Sequence, residues 1–526
     1  MFSSPTIRAL LWVAETQLVG DGRDSRDDSN SKSHGEFNSA DASLSIAQEA
    51  LTCVANIMLI NTSVIDWFHK IDGMATLIRI LESIQPTPSI SFLCGRIIFL
   101  VTHRGANVTH YVEQSGLPDI IAKACTDILP IAKDEQDRGM SFAVPFNAGS
   151  ALNELMKATF NLCTFYHRSC HQQDHGSLSP QAAASLATES SKSTLLPGQA
   201  QSSPKARLYD STNTIPPSHV HHFTKLLGAT IDIILTLQPR DSVPQIPSSQ
   251  AFNVLLNLPI IEPTEVRDLW MPPLSDENKW RVLDHLMGVM NATAMAIEFD
   301  PKYKMIELPN DKQTTLMPLF LILTYWVCES REAHARVSAT VLGDESKRDT
   351  DHPPEEWDNL CGQLVRIMRS PLPTDFTNAV SDLLFCLCNQ SPKIMINRFG
   401  YGNVAGYFMR QHILIGSDDM EGLDTKFGEC GGQIDPITGR AYSQRDRQHP
   451  PASSTAAADA DNPFTGMTDE EKEREAERLF VLFERLNKTG VVKVNNPVVK
   501  AYQCGKMQEL NDESEQSDSS NKDNGD

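Results

Sequence analysis

Through most of the chain, apolar residues recur three and four positions apart, in stretches long enough for several helical turns and separated by short polar turns. That spacing places them on one face of an α-helix, and alternating strand-like runs bounded by turn residues are few. Successive helical stretches of this kind predict an all-α fold of stacked helix pairs, in which each repeat packs on its neighbours. Three polar segments interrupt the pattern. Residues 21–43 are rich in Ser, Asp and Asn, residues 172–217 form a Ser/Ala/Gln/Pro tract, and residues 417–462 are dominated by Gly, Asp and Pro. All three read as disordered linkers or insertions.

Within the apolar stretches one pattern returns. A run of small or apolar residues ends in asparagine at Asn56, Asn161, Asn257 and Asn291, and again at Asn389. On a helix whose apolar face is in the core, such an amide can face an inner groove and offer donor and acceptor to a peptide backbone. It can equally cap the end of its helix, where asparagine tolerates the left-handed conformation. Both readings stand at this level, and both favour repeats.

The sharpest helix signal lies near the C-terminus. Thr468 followed by Glu471 makes a capping box, acidic residues fill the first turn, and Ala476, Leu479, Phe480, Phe483 and Leu486 recur at helical spacing before Gly490. The predicted amphipathic helix follows a long linker, so its apolar face docks either on the repeat stack or on a partner. Beyond residue 493 the tail is acidic and reads as disordered.

Charge and cysteine content narrow the function. A formal net charge of −21 disfavours a phosphate-tracking surface, and with it nucleic acid as partner. Eleven cysteines form no repeated CxxC pairs, and Cys53, Cys163, Cys386 and Cys388 lie in apolar runs. They read as buried thiols of a reducing compartment. No stretch of about 18 uncharged apolar residues occurs, and the N-terminus has no long apolar core with a cleavage site, which predicts a chain neither secreted nor membrane-spanning.

Few motifs carry chemistry. Gly400-Tyr-Gly-Asn-Val-Ala405 matches a bare dinucleotide fingerprint but lacks the preceding strand, so a tight turn between helices is expected instead. Cys163, His167, Cys170, His171 and His175 crowd together with some zinc-like spacings, without the second pair of a closed zinc module. His219, His221 and His222 form a polar cluster that reads as solvated. No phosphate loop, GxSxG elbow or HExxH motif is present. No catalytic residue, cofactor or metal is therefore expected.

Several segments, in order, resemble the synembryn family. They include Phe399-Gly-Tyr-Gly-Asn-Val-Ala-Gly406 after the helix ending at Asn389, Ile434-Asp-Pro-Ile-Thr-Gly-Arg440, and Asn462-Pro-Phe-Thr-Gly-Met-Thr-Asp-Glu-Glu-Lys472. Upstream, the segments ending at Asn56, Thr102 and Asn161 are similar to three successive repeat helices, so the resemblance spans about Ile46 to Val492. Family members carry a further helical segment before the first matched repeat, so contacts from that segment are not carried over.

The resemblance implies an armadillo/HEAT-like superhelix over residues 46–416, after an N-terminal helix and polar linker in 1–45. A linker at 417–462, an amphipathic helix at 463–492 and an acidic tail at 493–526 complete it. It implies a non-receptor guanine nucleotide exchange factor and folding chaperone for heterotrimeric G-protein α subunits (Gα). The superhelix would hold the Gα C-terminal helix, with Asn56, Arg96, Asn161 and Asn257 as contacts. Leu479, Phe480 and Phe483 of the tail helix would reach the nucleotide-binding domain. A monomeric, cytoplasmic protein, recruited to the cell cortex or plasma membrane through Gα, completes the expectation. An armadillo-type scaffold for linear motifs is the alternative.

Overall fold

The computed structural model describes residues 4–19, 36–83, 87–174, 215–237, 244–258, 264–272, 279–300, 306–344, 352–371 and 374–413. Two compact units divide the chain, Met1–Ser391 and Pro392–Asp526. Among the described residues the architecture is all-α, and an isolated bridge between Phe299 and Ile306 is the one β feature.

In the first unit the helices are α1 (Ser4–Val19), α2 (Glu36–Ile60), α3 (Val64–Lys70), α4 (Gly73–Ser83), α5 (Pro88–Thr102), α6 (Val108–Glu113), α7 (Leu117–Asp137) and α8 (Ala148–Asp174). A 3-10 turn (Pro217–Phe223) leads into α9 (Thr224–Thr236), α10 (Ser248–Leu255), α11 (Thr264–Trp270), α12 (Arg281–Met295), α13 (Asn310–Glu329), α14 (Arg331–Val341), α15 (Leu360–Met368) and α16 (Asp375–Leu387). Packing sorts most of them into two ladders. In one, α2, α5, α8, α10, α13 and α16 each lie against the next; in the other, α1, α4, α7, α9, α12 and α15 do the same. Pairs α1/α2, α7/α8, α9/α10, α12/α13 and α15/α16 join the ladders rung by rung, which is the nearest-neighbour packing of a helical-repeat stack.

The sequence makes these helices for legible reasons. Rungs of the first ladder have neighbours on several sides, so their apolar residues wrap most of the helix: α5 buries Ile90, Leu93, Cys94, Ile97, Ile98 and Val101. Later helices begin on side-chain caps. Ser330 accepts from the Ala333 N–H, Asn359 accepts from the Gly362 N–H, and Thr374 forms a reciprocal box with Thr377. Each satisfies a backbone donor that the first turn leaves open.

The stack begins earlier than the sequence suggests. Helix α1 packs on α2 and α4 as a full rung, and α2 starts at Glu36, inside the segment read as a polar linker. The Ser/Asp-rich composition there masks a helix that its downstream apolar face anchors. At the 172–217 tract, α8 extends to Asp174 and Ile215 is buried, so both edges of the expected insertion belong to ordered structure. Segment Asp41–Ile60 of α2 is long and apolar enough to cross a membrane, yet it packs on α1 and α5 as a rung. Cys53, expected inside, is exposed, while Cys163, Cys386 and Cys388 are buried.

In the second unit, α17 (Pro392–Phe399) and α18 (Tyr401–Arg410) pack on each other across Gly400, whose φ of 78° is open to glycine and costly for other residues. This is the expected tight turn, although Gly402 lies within α18. Residues 417–462, 463–492 and 493–526, with Leu479, Phe480 and Phe483, lie outside the described residues.

One packing contact sets a pH response. Burial pushes the imidazole of His285 on α12 below its ordinary pKa, Arg281 adds to that, and a hydrogen bond to the Ile234 backbone opposes it. His69 is lowered too, by burial against the opposing charge of Asp66. The folded state thus prefers neutral rings, while the unfolded chain takes up protons below about pH 6.5. Stability is complete above that pH and falls as pH drops through the lower folded values. The melting temperature is expected to decrease between about pH 7 and about pH 5.5, a window dominated by histidine, and His285→Gln to flatten that slope. A slope unchanged by the substitution would exclude His285 as its source.

Candidate functional site

Three consecutive rungs of the first ladder, α2, α5 and α8, enclose a cleft of about 460 Å³. Thr52 and Asn56 come from α2, Arg96 from α5, and Asn153, Glu154 and Lys157 from α8. The loop between α7 and α8 adds Phe142 and Phe146. Each polar residue here sits on a helix whose other faces are in the core, so its backbone is fixed by packing.

Glu154 organises the floor. Its carboxylate is buried, ion-paired with Lys157 at 2.7 Å and with Arg96 at 3.7 Å. The Arg96 distance is too long for a hydrogen bond, and Glu154 Oε2 makes none; Asn153 Oδ1 is also buried without a hydrogen bond. A buried acceptor left in that state costs about 1–3 kcal/mol, which a donor brought by a ligand can recover. Two cations against one carboxylate leave the cleft locally positive on a chain of net charge −21. This departs from the whole-chain acidity, which by itself favours basic partners.

The rim is strained. Phe146 adopts φ 70°, rare for a bulky residue, and its ring meets Phe92 edge-on at 5.1 Å. Neighbouring contacts hold it there. Asn147 caps α8 by accepting from the Ser150 N–H at 2.7 Å and donates to the Ser141 carbonyl, while Glu135 accepts from the Ala148 N–H at 2.9 Å. Such conformations persist where surrounding structure over-determines them, as at ligand clamps.

The four sequence candidates of the repeat region map to four successive rungs of this ladder, but only two share the cleft. Asn56 is exposed in mid-helix and Arg96 is half-buried, and both line it. Asn161 is buried and occupied: its Nδ2 donates to the Phe99 carbonyl at 3.0 Å and to Thr102 Oγ1 at 3.3 Å, tying α8 to α5. Asn257 follows α10, donating to the Asn253 carbonyl at 3.0 Å and accepting from Thr164. Asn389 ends α16 at φ 55°, a left-handed cap, whereas Asn291 is exposed within α12. The recurrent asparagines are therefore of three kinds: cap, interhelix tie and free amide. Sequence reasoning missed Asn153, Glu154, Lys157 and the two loop phenylalanines. Lys157 and Asn161 lie four residues apart in the same segment, but nothing local tells which one turns to the cleft.

Cys163, His167 and Cys170 are buried along one face of α8, and these three form no three-donor group; the side chain of His171 and all of His175 lie outside the described residues. Burial pushes the Cys163 thiol well above its ordinary pKa, which disfavours the thiolate a metal needs.

The family model described as guanine nucleotide exchange factor synembryn matches residues 3–506. This chain belongs to the synembryn family. Curated relatives named Chaperone Ric-8A are 28% identical over 251 residues in Danio rerio, 28% over 249 in Macaca fascicularis and 29% over 243 in Rattus norvegicus. These alignments cover 46%, 46% and 45% of this chain. The chain spans about two fifths of the length of those relatives: 41%, 42% and 41%. Membership in this family agrees with the all-α repeat stack and with the resemblance carried by the glycine-rich turn at Gly400.

Proposed function

We propose that this synembryn-family chain is a guanine nucleotide exchange factor and folding chaperone for Gα, acting by binding and without covalent chemistry of its own. The observation that carries the reading is the cleft on α2, α5 and α8, where Asn56 and Arg96 face solvent beside Lys157 and two aromatic rings. An exposed amide, a locally positive floor and an aromatic rim suit the C-terminal helix of Gα with its terminal carboxylate. The segment carrying Leu479, Phe480 and Phe483, whose spacing predicts an amphipathic helix, adds a second contact, to the nucleotide-binding domain. Its tether raises the local concentration to about the millimolar range, so a weak contact suffices. The protein acts as a monomer in the cytoplasm and reaches the cell cortex or plasma membrane through Gα.

Exchange follows from differential affinity. Each tenfold loss of nucleotide affinity requires the protein to bind nucleotide-free Gα about 1.4 kcal/mol more tightly than the GDP form. Linkage makes this reciprocal, so whatever factor the protein costs a nucleotide in affinity, that nucleotide costs the complex in return. The test is release of a fluorescent GDP analogue from purified Gα, with a Gα C-terminal peptide titrated in parallel. Arg96→Ala should weaken peptide binding about tenfold or more, since hydrogen bonds to a charged group are worth about 1.5–3 kcal/mol. Asn56→Ala should weaken it less and leave the melting temperature unchanged. Asn161→Ala should do the reverse, lowering stability by about 1–3 kcal/mol as its two hydrogen bonds to α5 are lost, each worth about 0.5–1.5 kcal/mol. GDP release independent of the protein's concentration would exclude exchange and leave a pure chaperone or a linear-motif scaffold as the surviving readings.

A further inference from the structure

The histidines of the 3-10 turn Pro217–Phe223 are part of a built cluster. Glu113, at the end of α6, His219 and His222 each place one donor atom within 4.8 Å of the other two. We propose that they form a divalent transition-metal site of zinc type, separate from the cleft. Two imidazoles and one carboxylate are ligands such an ion takes at about 2 Å, and three protein ligands leave a fourth position to water. Calcium and magnesium are disfavoured, since they require shells built of oxygen. Glu113 is exposed and both histidines are partly exposed, so rotation of side chains closes the remaining distance without moving backbone.

Tyr166 of α8 supplies the supporting contact. Its hydroxyl donates to Glu113 Oε1 at 2.9 Å and lies 3.0 Å from His219 Nδ1. An ionised carboxylate can only accept, so the single phenolic proton goes to Glu113, and the second contact is His219 Nδ1–H donating to the Tyr166 oxygen. Neutral His219 is thereby held in the tautomer whose Nε2 keeps its lone pair, as in metal sites where an outer group fixes the ligand ring. Tyr166 is itself fully buried, with its ring against His219, His222 and Phe223. The ring of His221 lies against that of His222, with centroids 3.9 Å apart and planes tilted by 40°. A bound ion would pin the segment entering α9 to the end of α6, closing the loop that contains α7, α8 and residues 175–214.

The full chain, stripped with a chelator and kept reduced, would be titrated with Zn²⁺ against a competing chromophoric chelator, and separately with Co²⁺ followed by absorption. Expected are saturation at one equivalent, no displacement by excess Ca²⁺ or Mg²⁺, and a cobalt spectrum without thiolate charge transfer. The double variant His219→Ala/His222→Ala should bind at least about a hundredfold more weakly, and Tyr166→Phe about tenfold to a hundredfold. Circular dichroism checks folding; if the double variant does not fold, Glu113→Gln at an exposed position carries the test and should also weaken binding. Absence of saturable binding, equal affinity in Glu113→Gln and wild type, or a spectrum dominated by cobalt–thiolate bands would overturn the site.

Discussion

Replacing Trp326 by alanine is expected to remove about 3–5 kcal/mol of stability, the range for deleting a large aromatic side chain from a core. Trp326 is fully buried on α13, and its ring meets that of Trp270 edge-on at 5.2 Å, an arrangement worth about 0.5–1.5 kcal/mol beyond the area buried. Its indole N–H makes no hydrogen bond. Trp326→Phe should therefore cost clearly less than Trp326→Ala. It keeps much of the apolar volume and deletes a donor whose unsatisfied burial costs about 1–3 kcal/mol. Urea unfolding followed by circular dichroism distinguishes the two variants. Equal losses would mean that the indole nitrogen has a partner and that the polar contact, rather than ring volume, holds α13 in place.

The second large effect concerns Gly95, where α5 crosses α8. A Cβ at this position would lie 3.0 Å from the Leu155 backbone nitrogen and 3.1 Å from the Glu154 carbonyl carbon. Backbone atoms of a packed helix cannot swing aside as a flexible side chain can. Gly95→Ala gains about 1 kcal/mol of helix propensity and loses some of it to this tight contact. Gly95→Leu has no such balance: overpacking of this kind costs about 1–3 kcal/mol and separates the two helices. Because Glu154 is one of the atoms' own residues, the separation also displaces the cleft floor. Gly95→Leu should lower both the melting temperature and affinity for the Gα peptide, whereas Trp326→Ala should lower stability with peptide affinity retained in the folded fraction. Unchanged peptide affinity in a folded Gly95→Leu protein would detach the proposed binding site from the α5/α8 crossing.

Helical periodicity made the repeat stack legible because each rung carries its own apolar stripe. Which rung packs on which was not legible, since ladders join residues far apart in sequence. Asn161 shows the limit: its segment looks like that of Asn56, yet Phe99 and Thr102 arrive from α5 to occupy it. Phe142 and Phe146 sit in a loop that has no period to read, so that part of the cleft left no signal. His219 and His222 looked solvated because Glu113 and Tyr166 reach them from other helices. Conversely, Gly400 was readable as a turn because its conformation is a local property.

The ladder has a bearing on synthesis. Every rung rests on the one made just before it, so packing can follow the order in which helices leave the ribosome. The three rungs around the cleft are finished at Asp174, whereas the last rung of the ladder ends at Leu387. At about 5–20 residues per second, roughly ten to forty seconds separate those two points. During that interval a nascent chain already carries the three helices that line its cleft, and a partner emerging nearby would meet them before the stack is closed.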